Sequence, residues 1–441
     1  MAAFDFKVVS VLTPAAAGGT TVVTGVGFRP KAAIVFGVRT AGTQGLACAI
    51  RMGVDDGTTR FSKAINPGIF SGQHFADSWM SNGQSFLAMR TQGLNELMVR
   101  GHIQSFDPNG CTVKWDFILV ATGVRFYILL LGGDSFSAKV VGLQPNASPY
   151  IKTGVGFQPT ALFGIFLGDT FNDVLLPGGS NLTYGWSGDT TCGQMTAYCG
   201  AKSNFGGPSI SASYQTVGEW LTVCDAVTGA IARRSILTSF DPDGFTITNT
   251  GGGTYGVLAM RGPTVNVGRL IQPTLTGGQN IPLVAGSPRV VCLGSFGKPA
   301  SAAAVSDVCM SFGVGYLSEQ SAVWTGELTG IPAGSESGNC AEDSTHLGLL
   351  HTPTGNFAST LNTRVSLAGM GTQSMDLTWD TVSGVANDWV YAVLAEDVGT
   401  GPCGGPTPIG CVPDTPDVPS DPVSPVSGGG SVTGDPGVVV T

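Results

Sequence analysis

The strongest constraint on the fold of this chain is an internal duplication. The segment TGVGFRPKA at Thr24–Ala32 recurs 129 positions later as TGVGFQPTA at Thr153–Ala161. Each copy runs directly into an apolar stretch, Ile34–Phe36 in the first and Leu162–Leu167 in the second. Because similarity at a fixed spacing marks repeated structural units, the chain contains at least two copies of one module.

A second landmark repeats in the same order. The segment SFDPNGCTV at Ser105–Val113 returns as SFDPDGFTI at Ser239–Ile247, a spacing of 134 positions. Each copy then closes on an apolar stretch that contains an aromatic residue, Phe126–Leu130 and Tyr255–Met260. Since the two spacings are nearly equal, the copies differ only by small loop insertions.

A third and more diverged copy follows. It opens on Ser287–Gly294, its middle part Val308–Gly315 is similar to Cys48–Val54, and it closes on Asp388–Leu394. It lacks the Asp-Pro-x-Gly turn, which predicts a different contact role for this unit. We therefore predict three units in series, at residues 1–132, 133–262 and 263–398.

The repeated residues are typical of turns and strand boundaries. In Asp-Pro-Asn/Asp-Gly, the Asp side chain accepts local backbone hydrogen bonds, Pro fixes φ, and Gly takes the positive φ that ends the turn. In Thr-Gly-Val-Gly-Phe-x-Pro, the glycines allow the backbone to bend and proline marks a strand boundary. The residues to which we assign these structural roles are Gly25, Gly27, Pro30, Asp107, Pro108, Gly110, Gly154, Gly156, Pro159, Asp241, Pro242 and Gly244.

Composition favours strands over helices. Charged residues make up only 12% of the chain, and 66 of its 441 residues are glycine. Helices display charged residues toward solvent, whereas short strands are joined by glycine-rich turns. We predict an all-β protein of three tandem antiparallel β-sandwiches, jelly-roll-like in the broad sense.

Charge and hydropathy argue against two classes of partner. The formal net charge is −9 and no run of Lys or Arg occurs, so the electrostatic footprint of a nucleic-acid-binding protein is missing. The longest apolar stretch, Phe117–Leu131, is interrupted by Thr122, Gly123 and Arg125. It is too short for a membrane-spanning helix, and we interpret it as two buried strands and a turn. We predict neither a nucleic-acid nor a membrane partner, and the amino terminus lacks a secretion signal.

Residues 399–441 differ in composition from the rest. They include nine Pro and ten Gly, but no aromatic residue, Lys or Arg. Such a segment does not form its own core, and we predict an extended arm that contacts a neighbouring subunit. Its last residues, Gly437–Thr441, suit strand addition to the sheet edge of a partner. Cys403 and Cys411 near its base are candidates for a disulfide bridge.

The chain has ten cysteines, and none of them forms a C-x-x-C pair. Two interpretations stay open at this point. Buried thiols act as small apolar side chains, whereas suitably placed pairs oxidise if the protein leaves the reducing cell.

The order of these landmarks resembles a module of structural proteins from tailed bacteriophages and their prophages. The resemblance covers the first two units well and the third loosely, and Cys111 stands where the module has Phe. It implies a non-catalytic β-sandwich on the particle exterior, as a head decoration, neck or tail appendage. The implied partners are other virion proteins and copies of the chain itself. The implied location is the virion, assembled in a bacterial cytoplasm and extracellular after lysis.

Candidate catalytic and metal residues are few. The four histidines, His74, His102, His346 and His351, lack the spacing of a helical zinc site, and we interpret His346 and His351 as solvated. Asp55-Asp56-Gly57 is interpreted as a solvated turn, because the carboxylate ladder of a calcium loop is absent. Neither Gly25-Val26-Gly27 nor Gly313-Val314-Gly315 has the third glycine of a dinucleotide fingerprint. Acid pairs for glycoside cleavage, Asp169 with Asp173 or Glu342 with Asp343, stay open because such pairs meet through the fold. We assign no catalytic, cofactor-binding or metal-binding residue.

Tryptophans support an alternative function. Trp79, Trp186, Trp220 and Trp324 lie in the middle parts of the units, where exposed rings could stack on sugars. Trp115, Trp379 and Trp389 lie in strand-like segments and are interpreted as structural. Our first hypothesis is a virion structural protein, the second a receptor- or glycan-binding tail appendage that contacts host surface glycan, and the third a glycan-cleaving tail enzyme.

Overall fold

The computed structural model describes residues 4–38, 50–70, 73–90, 96–119, 123–168, 174–176, 179–188, 193–202, 210–225, 230–297, 308–317, 319–327, 339–355 and 358–396. All helix or strand structure in these ranges is β-strand, so the predicted all-β class is confirmed. The predicted arm at 399–441, with Cys403, Cys411 and Gly437–Thr441, lies outside the described residues.

The strands fall into three successive groups, called repeats 1, 2 and 3. Repeat 1 contains Asp5–Leu12 (β1), Thr20–Val23 (β2), Pro30–Val38 (β3), Ile50–Asp55 (β4), Arg60–Phe70 (β5), Gln73–Ser81 (β6), Phe86–Arg90 (β7), Glu96–Asp107 (β8), Gly110–Ile118 (β9) and Arg125–Gly132 (β10). Repeat 2 contains Ser137–Leu143 (β11), Tyr150–Lys152 (β12), Ala161–Gly168 (β13), Val174–Leu176 (β14), Gly179–Ser187 (β15), Gln194–Lys202 (β16), Ile210–Val217 (β17), Leu221–Cys224 (β18), Ile231–Asp241 (β19), Gly244–Thr250 (β20) and Thr254–Arg261 (β21). Repeat 3 contains Pro263–Ile271 (β22), Gly277–Pro282 (β23), Ser287–Ser295 (β24), Val308–Tyr316 (β25), Glu319–Glu327 (β26), Asn339–Asp343 (β27), Gly348–Gly355 (β28), Ala358–Met370 (β29), Ser374–Thr381 (β30) and Asp388–Glu396 (β31).

Each repeat is a sandwich of two antiparallel sheets with the same strand order. The six-stranded sheets run β1-β10-β3-β4-β5-β6, β11-β21-β13-β15-β16-β17 and β22-β31-β24-β25-β26-β27. The four-stranded sheets run β2-β9-β8-β7, β12-β20-β19-β18 and β23-β30-β29-β28. The predicted tandem sandwiches are therefore confirmed. Strand β14 is additional, because it pairs with β6 and extends the sheet of repeat 1.

The closing strands β10, β21 and β31 lie inside the six-stranded sheets and are apolar on both faces. In β10, Phe126 and Ile128 face the interior of repeat 1, whereas Tyr127 and Leu129 face away from their own sandwich. A strand buried on both faces shows an unbroken apolar run instead of alternation. This explains why the sequence between Phe126 and Leu131 has no charged residue.

The outward faces of the three six-stranded sheets meet in one core, called here the shared core. It contains Phe36 of repeat 1, Tyr184 of repeat 2 and Phe312 of repeat 3, all with essentially no exposed surface. The ring centroids of Phe36 and Phe312 are 5.0 Å apart, and those of Tyr184 and Phe312 are 4.9 Å apart. The three sandwiches consequently belong to one compact unit.

The sandwiches also close into a ring. Strand β5 lies against β15, β16 lies against β25, and β26 lies against β4. If β14 is left out of the count, the fifth strand of each repeat contacts the fourth strand of the next repeat. The fifth strand of repeat 3 contacts the fourth strand of repeat 1, which closes the ring. Contacts of this head-to-tail kind are heterologous, and they close only when the rotation between units permits it. Here they close after three units within one chain.

Three equivalent glycines allow a close approach inside the sandwiches. A Cβ atom at Gly53 would lie 2.1 Å from the Ser85 carbonyl oxygen, and one at Gly185 would lie 1.6 Å from the Trp220 carbonyl oxygen. At Gly313 the corresponding distance to the Leu347 carbonyl oxygen is 1.7 Å. The fourth strand of every repeat thus packs directly against the backbone that leads into the four-stranded sheet, and no side chain fits there.

A buried glutamine joins the two sheets of repeats 2 and 3. The Leu237 N–H donates to Gln194 Oε1 at 2.7 Å, and Gln194 Nε2 donates to the Leu237 carbonyl at 2.8 Å. Gln320 makes the same pair of bonds with Leu367, at 2.8 and 3.1 Å. Both leucines border a β-bulge, where the strand ladder is interrupted. The glutamine amide replaces the missing strand partner.

We predict that Gly185→Ala destabilises the protein by about 3 kcal/mol, because the added methyl group overlaps a backbone carbonyl that has no room to move. Chemical denaturation of the purified variant measures this change. The control is Gly252→Ala, since a Cβ at Gly252 has no neighbour within 4 Å. Equal stability of the two variants would contradict the close approach.

We predict that Gln194→Leu costs about 2 to 4 kcal/mol, since the Leu237 N–H and carbonyl are left buried without partners. The matched control is Gln158→Leu, which removes a single exposed bond to the Phe240 carbonyl. Its expected cost is below about 1 kcal/mol. If Gln158→Leu lowered the free energy of unfolding more than Gln194→Leu, the two hydrogen bonds between Gln194 and Leu237 would not be needed for stability.

Candidate functional site

Within each of repeats 1 and 2, hydrogen bonds join the Thr-Gly-Val-Gly-Phe-x-Pro loop to the Asp-Pro-x-Gly turn. In repeat 2, the N–H groups of Gly156 and Gly154 donate to the two carboxylate oxygens of Asp243, at 2.6 and 3.0 Å. In repeat 1, the Gly27 N–H donates to Asn109 Oδ1 at 2.6 Å. The third residue of the Asp-Pro-x-Gly turn therefore caps the glycine loop.

The predicted turn residues hold this element in shape. Asp107 accepts hydrogen bonds from the Ser105 and Thr112 hydroxyls, both at 2.8 Å, and Asp241 has equivalent partners. Positive φ angles occur at Gly25, Gly27, Gly110, Gly154, Gly156 and Gly244. Pro30 and Pro159 are buried where the chain enters the third strand, and Pro108 and Pro242 are exposed at the turn tips. All of these contacts are structural.

Repeat 3 holds its corresponding loop differently. The Asn266 side chain accepts hydrogen bonds from the N–H groups of Val284 and Ala285, at 3.0 and 2.9 Å. Asn266 lies on β22, so a strand residue replaces the turn residue Asn109 or Asp243. This substitution explains how the third unit folds without the Asp-Pro-x-Gly turn.

The interface between repeats 3 and 1, called here the seam, carries two ion pairs. Lys7 pairs with Glu319, and Arg125 Nε lies 3.3 Å from Glu342 Oε1. Each pair joins repeat 1 to repeat 3. Between repeats 2 and 3, the Cys309 N–H donates to Ser213 Oγ at 2.9 Å.

The interface between repeats 1 and 2 buries a charge. Lys63 on β5 is almost fully buried, and its Nζ donates to Asn181 Oδ1 at 2.7 Å. The same Nζ lies 4.9 Å from the centroid of the Phe166 ring, within cation–π range. Asp56 also crosses this interface, because it accepts a hydrogen bond from the Val140 N–H at 2.7 Å.

The prediction of a solvated turn is wrong for Asp55, which is fully buried. Its carboxylate accepts hydrogen bonds from Ser85 Oγ at 2.7 Å and from the Ile103 N–H at 3.1 Å. Burial raises the pKa of Asp55 above its usual value, while the neighbouring Arg60 acts in the opposite direction. Asp55 binds the N–H of Ile103 next to a β-bulge, as the buried glutamines bind Leu237 and Leu367, but it does so from the end of the fourth strand.

Of the candidate acid pairs, the described one, Glu342 with Asp343, does not form a reactive group. Glu342 and Asp343 are consecutive on β27 and face opposite sides, so Glu342 pairs with Arg125, while Asp343 pairs with His346 at 2.9 Å. His346 is thus half-buried and in contact with a carboxylate instead of solvated. Asp169, Asp173 and the side chain of His74 lie outside the described part of the chain.

His351 is also not solvated. It stacks on the Trp324 ring with centroids 5.1 Å apart. Burial, with a smaller effect from Arg364, lowers the pKa of His351 to about 4. The side chain is therefore neutral at pH 7 and serves packing.

Three of the four tryptophans proposed for sugar stacking are fully buried: Trp186, Trp220 and Trp324. Trp79 is partly buried against the small cluster that contains Leu87 and Met89. Three of the four rings that the alternative function requires are therefore inside the sandwiches. Trp115, Trp379 and Trp389 are buried as well, as the structural interpretation predicted.

The described cysteines follow the first of the two interpretations. Cys111, Cys199, Cys224 and Cys292 are buried thiols, and burial raises the pKa of Cys111 and of Cys224 to about 12. No disulfide joins any of the six described cysteines. Cys48 and Cys192 lie outside the described residues, as do Cys403 and Cys411.

Within the described ranges, no group of three His, Cys, Asp or Glu side chains is arranged to hold a metal ion. The same part of the chain has no helix able to cross a membrane. Comparison of the chain with family models, with curated proteins and with solved structures finds no match.

We predict that the cap at Asp243 makes repeat 2 sensitive to acid. Hydrogen bonds from Gly156 and Gly154 lower the pKa of Asp243 below 3.8. A lowered pKa in the folded state stabilises the protein above pH 3.8, and this contribution is lost as pH falls through the folded pKa. Thermal unfolding of wild type and Asp243→Asn should therefore converge as pH falls below 3.8.

The control for this prediction is Asn109→Asp in repeat 1, where the neutral side chain occupies the same position. This variant should gain the pH dependence that Asp243→Asn loses. A constant stability difference between wild type and Asp243→Asn from pH 6 to acid conditions, on the order of pH 2, would contradict the role of the carboxylate.

Proposed function

We propose that this protein is a non-enzymatic structural component of a tailed-phage virion, a capsid decoration, neck or tail-associated protein. It acts through contacts with other virion proteins and with copies of itself. The observation that carries the proposal is the closed ring of three sandwiches around one shared core. Such a ring is a rigid block whose four-stranded sheets and loops are available to neighbours.

The distribution of polar groups supports a structural role. The conspicuous buried charge Asp55 binds backbone groups of its own sandwich, and Lys63 ties two repeats together. Functional sites usually bring perturbed titratable groups together in a cleft. Here the perturbed thiols and tyrosines are buried among apolar core residues, which favours a protein that acts through binding.

The outer sheet faces differ between repeats and can discriminate between partners. On the ninth strand, repeat 1 presents Lys114 and Asp116, whereas repeat 3 presents Asp376 and Asp380. Repeat 2 presents threonines at the same positions. One block therefore offers three faces with different patterns of charged side chains, which suits contacts with non-identical neighbours.

The proposal is tested on purified phage particles from a lysate of the host that carries this gene. Mass spectrometry should detect the chain in particles banded by density, and immunogold labelling should place it on the head, neck or tail. A cytosolic host protein followed through the same gradient is the control. Absence of the chain from particles that retain their known structural proteins would refute the proposal.

The receptor- or glycan-binding appendage remains the second candidate, with host surface glycan as its partner. The partly buried Trp79 and the exposed aliphatic side chains Val22 and Ile151 are the features that favour it. Binding of the isolated protein to a host glycan array would support this candidate. Release of reducing sugar from host polysaccharide would instead support the glycan-cleaving enzyme.

A further inference from the structure

The three interfaces of the ring share the contact between a fifth and a fourth strand, but they differ in how the repeats are connected. Repeats 1 and 2 are joined by the short linker between Gly132 and Ser137, and repeats 2 and 3 by Gly262 alone. The seam between repeats 3 and 1 joins the two repeats that are not consecutive. Its contacts must therefore form without a direct linker.

The sequence places opposite charges on the two sides of this seam. Residues 5–132 contain 11 Lys and Arg against 7 Asp and Glu, whereas residues 263–396 contain 4 against 10. The opposite charges attract the two repeats and penalise wrong pairings. The ion pairs Lys7–Glu319 and Arg125–Glu342 are the contact points of this attraction.

Apolar contacts surround the ion pairs. The Phe6 ring of repeat 1 packs edge-on against Tyr316 of repeat 3, with centroids 5.2 Å apart. The Arg289 guanidinium lies 5.8 Å from the centroid of the same Phe6 ring. The seam is thus a complete protein–protein interface, with an apolar contact and flanking charge pairs.

Nothing in these contacts requires that repeat 1 and repeat 3 belong to the same chain. We propose that repeat 1 of one copy can take the repeat 1 position of a second copy, and the reverse, so that two chains share two three-repeat blocks. Exchange of an identical element is an economical route to a dimer. The hinge is the linker at Gly132–Phe136, where Gly133 has a φ of +102°. The partner is therefore a second copy of the chain. This inference rests on the proposed function only for the biological purpose of the exchange, and not for the contacts that allow it.

The test uses two full-length chains with complementary seams. The first carries Lys7→Glu and Arg125→Glu, and the second carries Glu319→Lys and Glu342→Lys. Within either chain the seam now repels, whereas both seams of the exchanged pair attract. Co-expression with two different tags should yield a mixed complex of twice the chain mass, about tenfold more than two tagged wild-type chains yield, as a change of about 1.4 kcal/mol implies.

The control is one chain that carries all four substitutions, whose seam is complementary again. It should give the same amount of mixed complex as wild type. Recovery of both charge-reversed chains in folded form, but only as separate single chains, would overturn the proposal.

A second measurement avoids the charge-reversed variants. Wild-type chain is refolded at increasing protein concentration, and native mass spectrometry follows the two-chain species. The proposal expects the two-chain fraction to rise with concentration during refolding. Single chains at every concentration would overturn the proposal. Because purified protein is used, this result is independent of whether the chain is found in phage particles.

Discussion

The rest of the structure depends on the burial of both faces of the six-stranded sheets. One face of each sheet closes its own sandwich, and the other face supplies the shared core. A buried large apolar side chain contributes about 1.5 to 3 kcal/mol, whereas a partly exposed ion pair contributes about 1 kcal/mol or less. The shared core therefore holds the repeats together. The ion pairs at the seam select which surfaces meet.

The shared core also limits how the protein can act. The largest apolar surfaces of the three sandwiches are used inside the ring, so contacts with other molecules fall to the four-stranded sheets and the loops. These outer faces differ in their charged side chains, while the inner faces are apolar. A common frame with three different faces is consistent with a protein whose role is to bind neighbours.

Sequence patterns predicted the fold class, the three repeats and the turns, because these features are local. Gly27 and Asp107 are typical of bends, and the apolar run from Phe126 to Leu131 is typical of a central strand. The shared core was missed, although that run already showed a strand buried on both faces. An apolar sequence pattern predicts that a face of a strand is buried. It does not show that another repeat of the same chain buries it.

The side-chain roles were harder to predict because they depend on distant partners. Asp55 looked like part of a solvated turn, but strands far away in the sequence bury it. No local sequence pattern predicts that Gln194 and Gln320 join two sheets, because their hydrogen-bond partners are more than 40 positions away. Trp186 and Trp324 could not be placed in the interior from composition alone. Their strands place them there.

The central claim is that three sandwiches share one core and are stabilised as one unit. Native-state hydrogen exchange of β10, β21 and β31, the closing strands of the three repeats, tests it most directly. The account predicts that the most protected amides of all three strands open with the same free energy. Exchange of one repeat at a much lower free energy, with the other two still protected, would contradict it.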